Sequence, residues 1–227
     1  MSRHLLAEIE RLKTRILELS DMVEQSVHQA VKSLQDGDKD TAQAVIDNDS
    51  AIDLAEVDIE EECQKILALH QPVAHDLRFI IAVLKINTEL ERIGDAAVSI
   101  ADHASVLSAE EHISIPFDFL GMAERAKSML RKSLDALVKL DAELAFFVIN
   151  EDDVVDSINR GVYRLIEKSI QKNPERVSSL IHLLGVSRHI ERIADHASNI
   201  AENVIYLVEG RIIRHHKGEY KRNDSGN

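Results

Sequence analysis

The stretch Glu89-Leu-Glu-Arg-Ile-Gly-Asp95-Ala-Ala-Val-Ser-Ile-Ala-Asp102 returns one hundred residues later as His189-Ile-Glu-Arg-Ile-Ala-Asp195-His-Ala-Ser-Asn-Ile-Ala-Glu202. A repeat of that likeness means one fold unit used twice, so the 227 residues divide into two similar bodies of about a hundred each. Each copy is helical in pattern. Phe79, Val83, Ile86, Leu90 and Ile93 form one apolar stripe, and Leu183, Val186, Ile190 and Ile193 form its counterpart.

The remaining segments follow the same period. A first helix is expected over residues 3 to 35, ended by Asp36-Gly37-Asp38, and a second over 41 to 69, closed by Gln71-Pro72 because proline disfavours helix in the residue before it. A third runs to residue 107. Residues 108 to 116 break the period and link the halves, after which helices are expected over 117 to 140, 143 to 171 and 175 to 209. With 8 Gly, 3 Pro and 4% aromatic residues the chain has little turn chemistry, which suits long packed helices. The expected fold is all-α, with three-helix bundles over residues 1–108 and 117–210 and a mobile basic tail over 211–227.

Charge narrows the function. A net charge of −13 repels phosphate backbones and anionic lipid headgroups, so no nucleic-acid partner is expected. No apolar run approaches the roughly 20 residues of a membrane span, the N-terminus carries charge before any signal-like stretch, and the single Cys63 forms no thiolate motif. A reducing cytoplasm is the expected compartment. The chain holds no Gly-x-Ser-x-Gly and no glycine-rich phosphate loop, so enzyme activity is not expected.

Each copy of the repeat carries Glu-x-x-x-Asp: Glu91/Asp95 and Glu191/Asp195. Carboxylates four apart share a helix face and repel by a few tenths of a kcal/mol, a mild cost kept twice that a cation would reverse. On the third helix these acids lie opposite the apolar stripe and are expected to face outward. Aligning the halves without gaps at an offset of 103 adds Asp49/Asp53 over Asp152/Asp156 on the second and fifth helices. If neighbouring helices are antiparallel, the two pairs of each half meet across one groove as a four-carboxylate site.

All-oxygen ligation suits Mg²⁺, Ca²⁺, Mn²⁺ or iron, and Zn²⁺ also accepts carboxylates. His196 and Asn199, one turn beyond the second motif, are expected to add ligands there; Ala96 and Ser99 replace them in the first copy and make that site weaker. His103, His182 and His189 show no ligand spacing and read as structural. A ferritin-like di-metal protein is the rival reading, but it needs Glu-x-x-His, and the chain contains none.

Pro72-Val-Ala-His-Asp-Leu-Arg78, Glu91-Arg-Ile-Gly-Asp95 and Glu191-Arg-Ile-Ala-Asp195-His-Ala-Ser-Asn-Ile-Ala together closely resemble the PhoU family, over nearly the whole chain. The resemblance implies two three-helix bundles whose acidic pairs bind iron or zinc clusters, as Fe³⁺ or Zn²⁺, on the bundle surface. It also implies a cytoplasmic negative regulator of the phosphate-starvation response. Such a regulator couples the ATPase subunit of a phosphate ABC transporter to a phosphate-sensing histidine kinase, and a homo-oligomer is expected. A PhoU-like accessory protein of another phosphate transporter is a further alternative. Arg78, which has no equivalent in the second half, is a candidate partner-binding residue by analogy.

Overall fold

The computed structural model describes residues 3–109 and 117–213. Most of the linker and of the expected tail, residues 110–116 and 214–227, lie outside the described residues. Among the described residues there are six long helices: α1 (Arg3–Asp36), α2 (Lys39–His70), α3 (Ala74–Leu107), α4 (Phe119–Lys139), α5 (Ala142–Lys172) and α6 (Val177–Glu209). A single 3₁₀ turn, Pro174–Arg176, precedes α6. None of the described helices is long and apolar enough to cross a membrane.

The two bundles are α1–α2–α3 and α4–α5–α6, joined side by side along α3 and α6. On α1 the buried residues Leu5, Ile9, Leu12, Ile16, Leu19 and Val23 alternate steps of four and three, a heptad seam that points one narrow stripe at its neighbours. Both α3 and α6 must instead bury a face against their own bundle and another against the opposite bundle. The residues that meet across the two helices are largely polar, with Glu89, Ala96 and His103 on α3 facing His182, His189, His196 and Asn199 on α6. Glu89 meets His196, whereas His103 meets His182, so α3 and α6 run antiparallel about a pseudo-twofold axis near residues 92 and 192. Lys85 lies over the Tyr206 ring at 4.9 Å across the same seam.

Aspartates start three helices. Asp38 accepts from the backbone N–H of Asp40 and Thr41, Asp118 from Gly121, and Asp141 from Leu144, each occupying donors that a helix start leaves unpaired. The duplication reaches the turns, because Gly37 at φ 64° and its counterpart Leu140 at φ 52° both end a helix in the left-handed conformation. Glycine takes that conformation without cost, whereas leucine brings its Cβ too close to the next carbonyl, at about 1–2 kcal/mol. Leu140→Gly is therefore expected to leave stability unchanged or raise it by about 1 kcal/mol, despite removing a 46% exposed apolar side chain, as read by chemical denaturation.

Candidate metal centres

On α2, Val45, Ile52, Ile59 and Ile66 recur every seven residues and are all 1% exposed or less. Four residues beyond the first three stand Asp49, Glu56 and Cys63. On α5 the same pattern runs through Val148, Val155 and Val162, followed by Asp152, Asn159 and Ile166. Acids thus occupy positions that the heptad turns toward α3 and α6. A carboxylate there loses water, which is costly unless a cation or hydrogen bonds replace it.

In the second half this geometry produces a convergent group. Asp152 on α5 is 2% exposed, unlike the outward position expected for the acids of the repeated third helix. Carboxylate oxygens of Asp152, Asp156 (α5) and Asp195 (α6) all lie within 4.8 Å of one another. Beside them the Glu191 carboxyl is pushed up to about 6, first by burial and then by the charges of Asp195, Asp156 and Asp152. Arg160 lies 3.5 Å from Asp156 at the rim and offsets only part of this charge. Three hard oxygens in a half-enclosed groove could hold a metal ion, for which Asp152, Asp156 and Asp195 would be the ligands with Glu191 adjacent.

The first half brings its four predicted acids together more loosely. Burial, then Asp53 and Asp95, raises the Asp49 pKa; burial, then Asp95, Glu56 and Asp53, raises that of Glu91. Glu56, absent from the sequence expectation, joins this cluster, and its own pKa rises through burial and then Glu60 and Asp53. Asn87 Nδ2 on α3 donates to the Glu56 carbonyl at 2.8 Å and to Oε1 at 3.0 Å. In the second half Ser187 Oγ donates to Asn159 Oδ1 at 2.8 Å at the equivalent place. The α2 heptad was the available signal, since Glu56 stands one repeat after Asp49. Among the described residues, only the second half draws three ligand oxygens within 4.8 Å.

His196 and Asn199 do not make that difference. His196 Nδ1 lies 2.7 Å from Glu89 Oε2 and Asn199 Nδ2 donates to the same oxygen at 3.0 Å, so both reach across to α3 instead of joining Asp152, Asp156 and Asp195. The physical reason is the antiparallel seam, which faces residue 89 with residue 196 and leaves residues 195 and 191 on the α5 side. Glu89 is 8% exposed. Burial would raise its pKa, but the hydrogen bonds from His196 and Asn199, with the charges of His196 and Arg92, outweigh it and hold the carboxyl below its usual value. Arg78 is half-buried, and a Cβ added at Gly210, the left-handed residue ending α6, would lie 2.8 Å from its Nη1. A guanidinium at that place offsets the negative end of the α6 dipole.

These shifts set a pH dependence. Glu191 titrates at about 6 when folded against 4.5 as its ordinary value, so the stability it permits is complete below 4.5 and is lost as pH rises through 6. A rise of that size is worth about 2 kcal/mol in full and about half that where water screens the group. A bound cation displaces this proton. Metal affinity of the purified protein is therefore expected to fall steeply below pH 6, with proton release on binding measurable by calorimetry in buffers of different ionisation enthalpy.

The chain matches the PhoU domain model twice, over residues 16–104 and 119–204. It is 37% identical over 216 residues to the phosphate-specific transport system accessory protein PhoU homolog of Pseudomonas aeruginosa, covering 95% of this chain and 89% of that protein. To the corresponding Aquifex aeolicus protein it is 38% identical, covering 93% and 96% of the two chains. The crystal structure of PhoU from Pseudomonas aeruginosa superposes with a TM-score of 0.86 at 38% identity, covering 90% of this chain and 99% of that one. The phosphate transport system regulatory protein PhoU from Streptococcus pneumoniae gives 0.82 at 28% identity, covering 92% and 98%. Two domain matches, one on each bundle, with relatives aligned along almost their whole length, make this chain a member of the PhoU family.

Proposed function

We propose that the chain is a cytoplasmic negative regulator of phosphate uptake and of the phosphate-starvation response, with its two bundles over 1–108 and 117–210 as working units. Its partners are the ATPase subunit of a phosphate ABC transporter and a phosphate-sensing histidine kinase, between which it acts as an adaptor. The observation that carries this reading is the near-full-length likeness to accessory proteins of phosphate-specific transport systems. A rigid pair of bundles suits such a role, because it offers long fixed faces without chemistry. Leu54, Val57 and Tyr163 stand 69%, 49% and 46% exposed on α2 and α5, apolar surface suited to a partner or to a second copy.

The acidic groups serve in this reading as metal centres: Asp152, Asp156, Glu191 and Asp195 in the second half, Asp49, Asp53, Glu91 and Asp95 in the first. A cation there would hold α5 against α6, or α2 against α3, and stiffen the faces presented to partners. Deletion of the gene is expected to switch on phosphate-starvation genes at high phosphate, read with a reporter fusion, and the intact gene in trans to restore repression. Normal repression in the deletion strain would sink the regulatory reading and favour an accessory role at another phosphate transporter.

A further inference from the structure

Three histidines that the sequence scatters over almost ninety positions come together on the α3–α6 seam. His182 and His189 are seven residues apart on α6, and Gly185 lies on the same face between them, three residues after one and four before the other. The His103 ring from α3 rests on Gly185, where an added Cβ would come within 2.8 Å of its Cε1 and closer still to Nε2. His103 Nδ1 lies 2.9 Å from His182 Nδ1, and the His103 and His189 ring centroids are 5.6 Å apart. His189 Nδ1 is buried and has no hydrogen-bond partner.

We propose that His103, His182 and His189 form a nitrogen-ligand site for a borderline divalent cation such as Zn²⁺, distinct from the carboxylate centres. Two imidazole nitrogens on one tetrahedral Zn²⁺, each at about 2.0–2.1 Å, stand roughly 3.3 Å apart, so the His103–His182 pair needs to open only slightly. Metal replaces their shared Nδ1 proton, which moves to Nε2 of the ring that held it, and no proton is released. The His189 nitrogens do not converge with that pair in the structure, so its ring would have to turn toward them on binding, and water would take the fourth position. Burial lowers the His103 pKa, and burial followed by the charges of His103, Arg192 and Arg188 brings that of His189 to about 4, so both rings offer neutral lone pairs at neutral pH. Imidazole favours Zn²⁺, Cu²⁺ or Ni²⁺, whereas the acidic groups favour harder ions, so the two kinds of site select differently.

Co²⁺ added alone to the full-length protein distinguishes them, because nitrogen-rich tetrahedral Co²⁺ absorbs visible light far more strongly than oxygen-bound octahedral Co²⁺. The strong band is expected to persist when Asp152, Asp156 and Asp195 are changed to Asn and Glu191 to Gln. It is expected to weaken at least tenfold in His103→Gln and in His182→Gln. Gly185→Ala, which removes no ligand but displaces the His103 ring, is expected to lower Co²⁺ affinity with circular dichroism unchanged. A band unaffected by His103→Gln in folded protein, or absent from the acid variant, overturns the proposal. If a histidine variant does not fold, imidazole ¹⁵N resonances of the wild-type protein at saturating Zn²⁺ decide: shifted signals for the three rings support the site, unmoved ones overturn it.

Discussion

Asp152→Asn is expected to remove the second-half centre's share of the stabilisation that a hard divalent cation confers while making the metal-free protein slightly more stable. A cation at a hundred times its dissociation constant stabilises a single-site protein by about 2.7 kcal/mol. Asp152 is the buried member of the three oxygens within 4.8 Å, so its loss removes the best-desolvated ligand of that set. The same change relieves Glu191, whose raised pKa includes as its smallest raising cause the repulsion from Asp152, and so adds a few tenths of a kcal/mol without metal near neutral pH. Thermal unfolding with and without Mn²⁺, which the acidic groups favour over the histidines, reads both signs in one experiment. A variant stabilised by metal as strongly as wild type would show that the cation sits elsewhere. Repeating the scan at pH 5 should shrink the wild-type response, because Glu191 then holds its proton.

The second large effect is expected at Glu89. Glu89→Ala leaves His196 and Asn199 facing a hole on the seam, and removing one member of a buried polar cluster typically costs about 3 kcal/mol or more. Glu89→Gln keeps an acceptor oxygen of similar shape and should cost less than half as much. The folded pKa of Glu89 is depressed, so its contribution is complete above the ordinary carboxylate value of 4.5 and is lost as pH falls through the lower, folded value. Urea titrations across that range should show a steeper acid loss in wild type than in Glu89→Ala. Equal slopes would mean that the carboxylate is not charged in the folded protein. This limb is opposite in sign to that of Glu191 and lies at lower pH, so the two separate in a stability-versus-pH curve.

Much of this architecture is readable before any coordinates. Expected helix ends at residues 35, 69, 107, 140, 171 and 209 fall within one residue of those observed, because capping aspartates, left-handed turn residues and Pro72 and Pro174 act locally. The acidic pairs of each half were likewise legible, since spacing of four on one helix is a local property and the internal alignment supplied the partner pair. Burial was less legible. Asp152 shares its motif spacing with Asp53 and Asp156, yet only Asp152 stands at the heptad position facing α6, a distinction carried by Val148 and Val155 rather than by the acids themselves.

What escaped the sequence concerns the seam. The first and second copies differ at 89/189, 96/196 and 99/199, and these differences read locally as a stronger and a weaker metal site. Packed antiparallel about a twofold axis, they become contacts instead: Glu89 takes His196 and Asn199, while His103 settles among His182, Gly185 and His189. Periodicity and capping act over a few residues, so the chain alone determined six helices, their lengths, the duplication and which acids share a face. The pairing of α3 with α6 depends on how two completed bundles dock their remaining faces, which brings residues a hundred positions apart together. That long-range packing alone decided where His196 points and which three histidines meet.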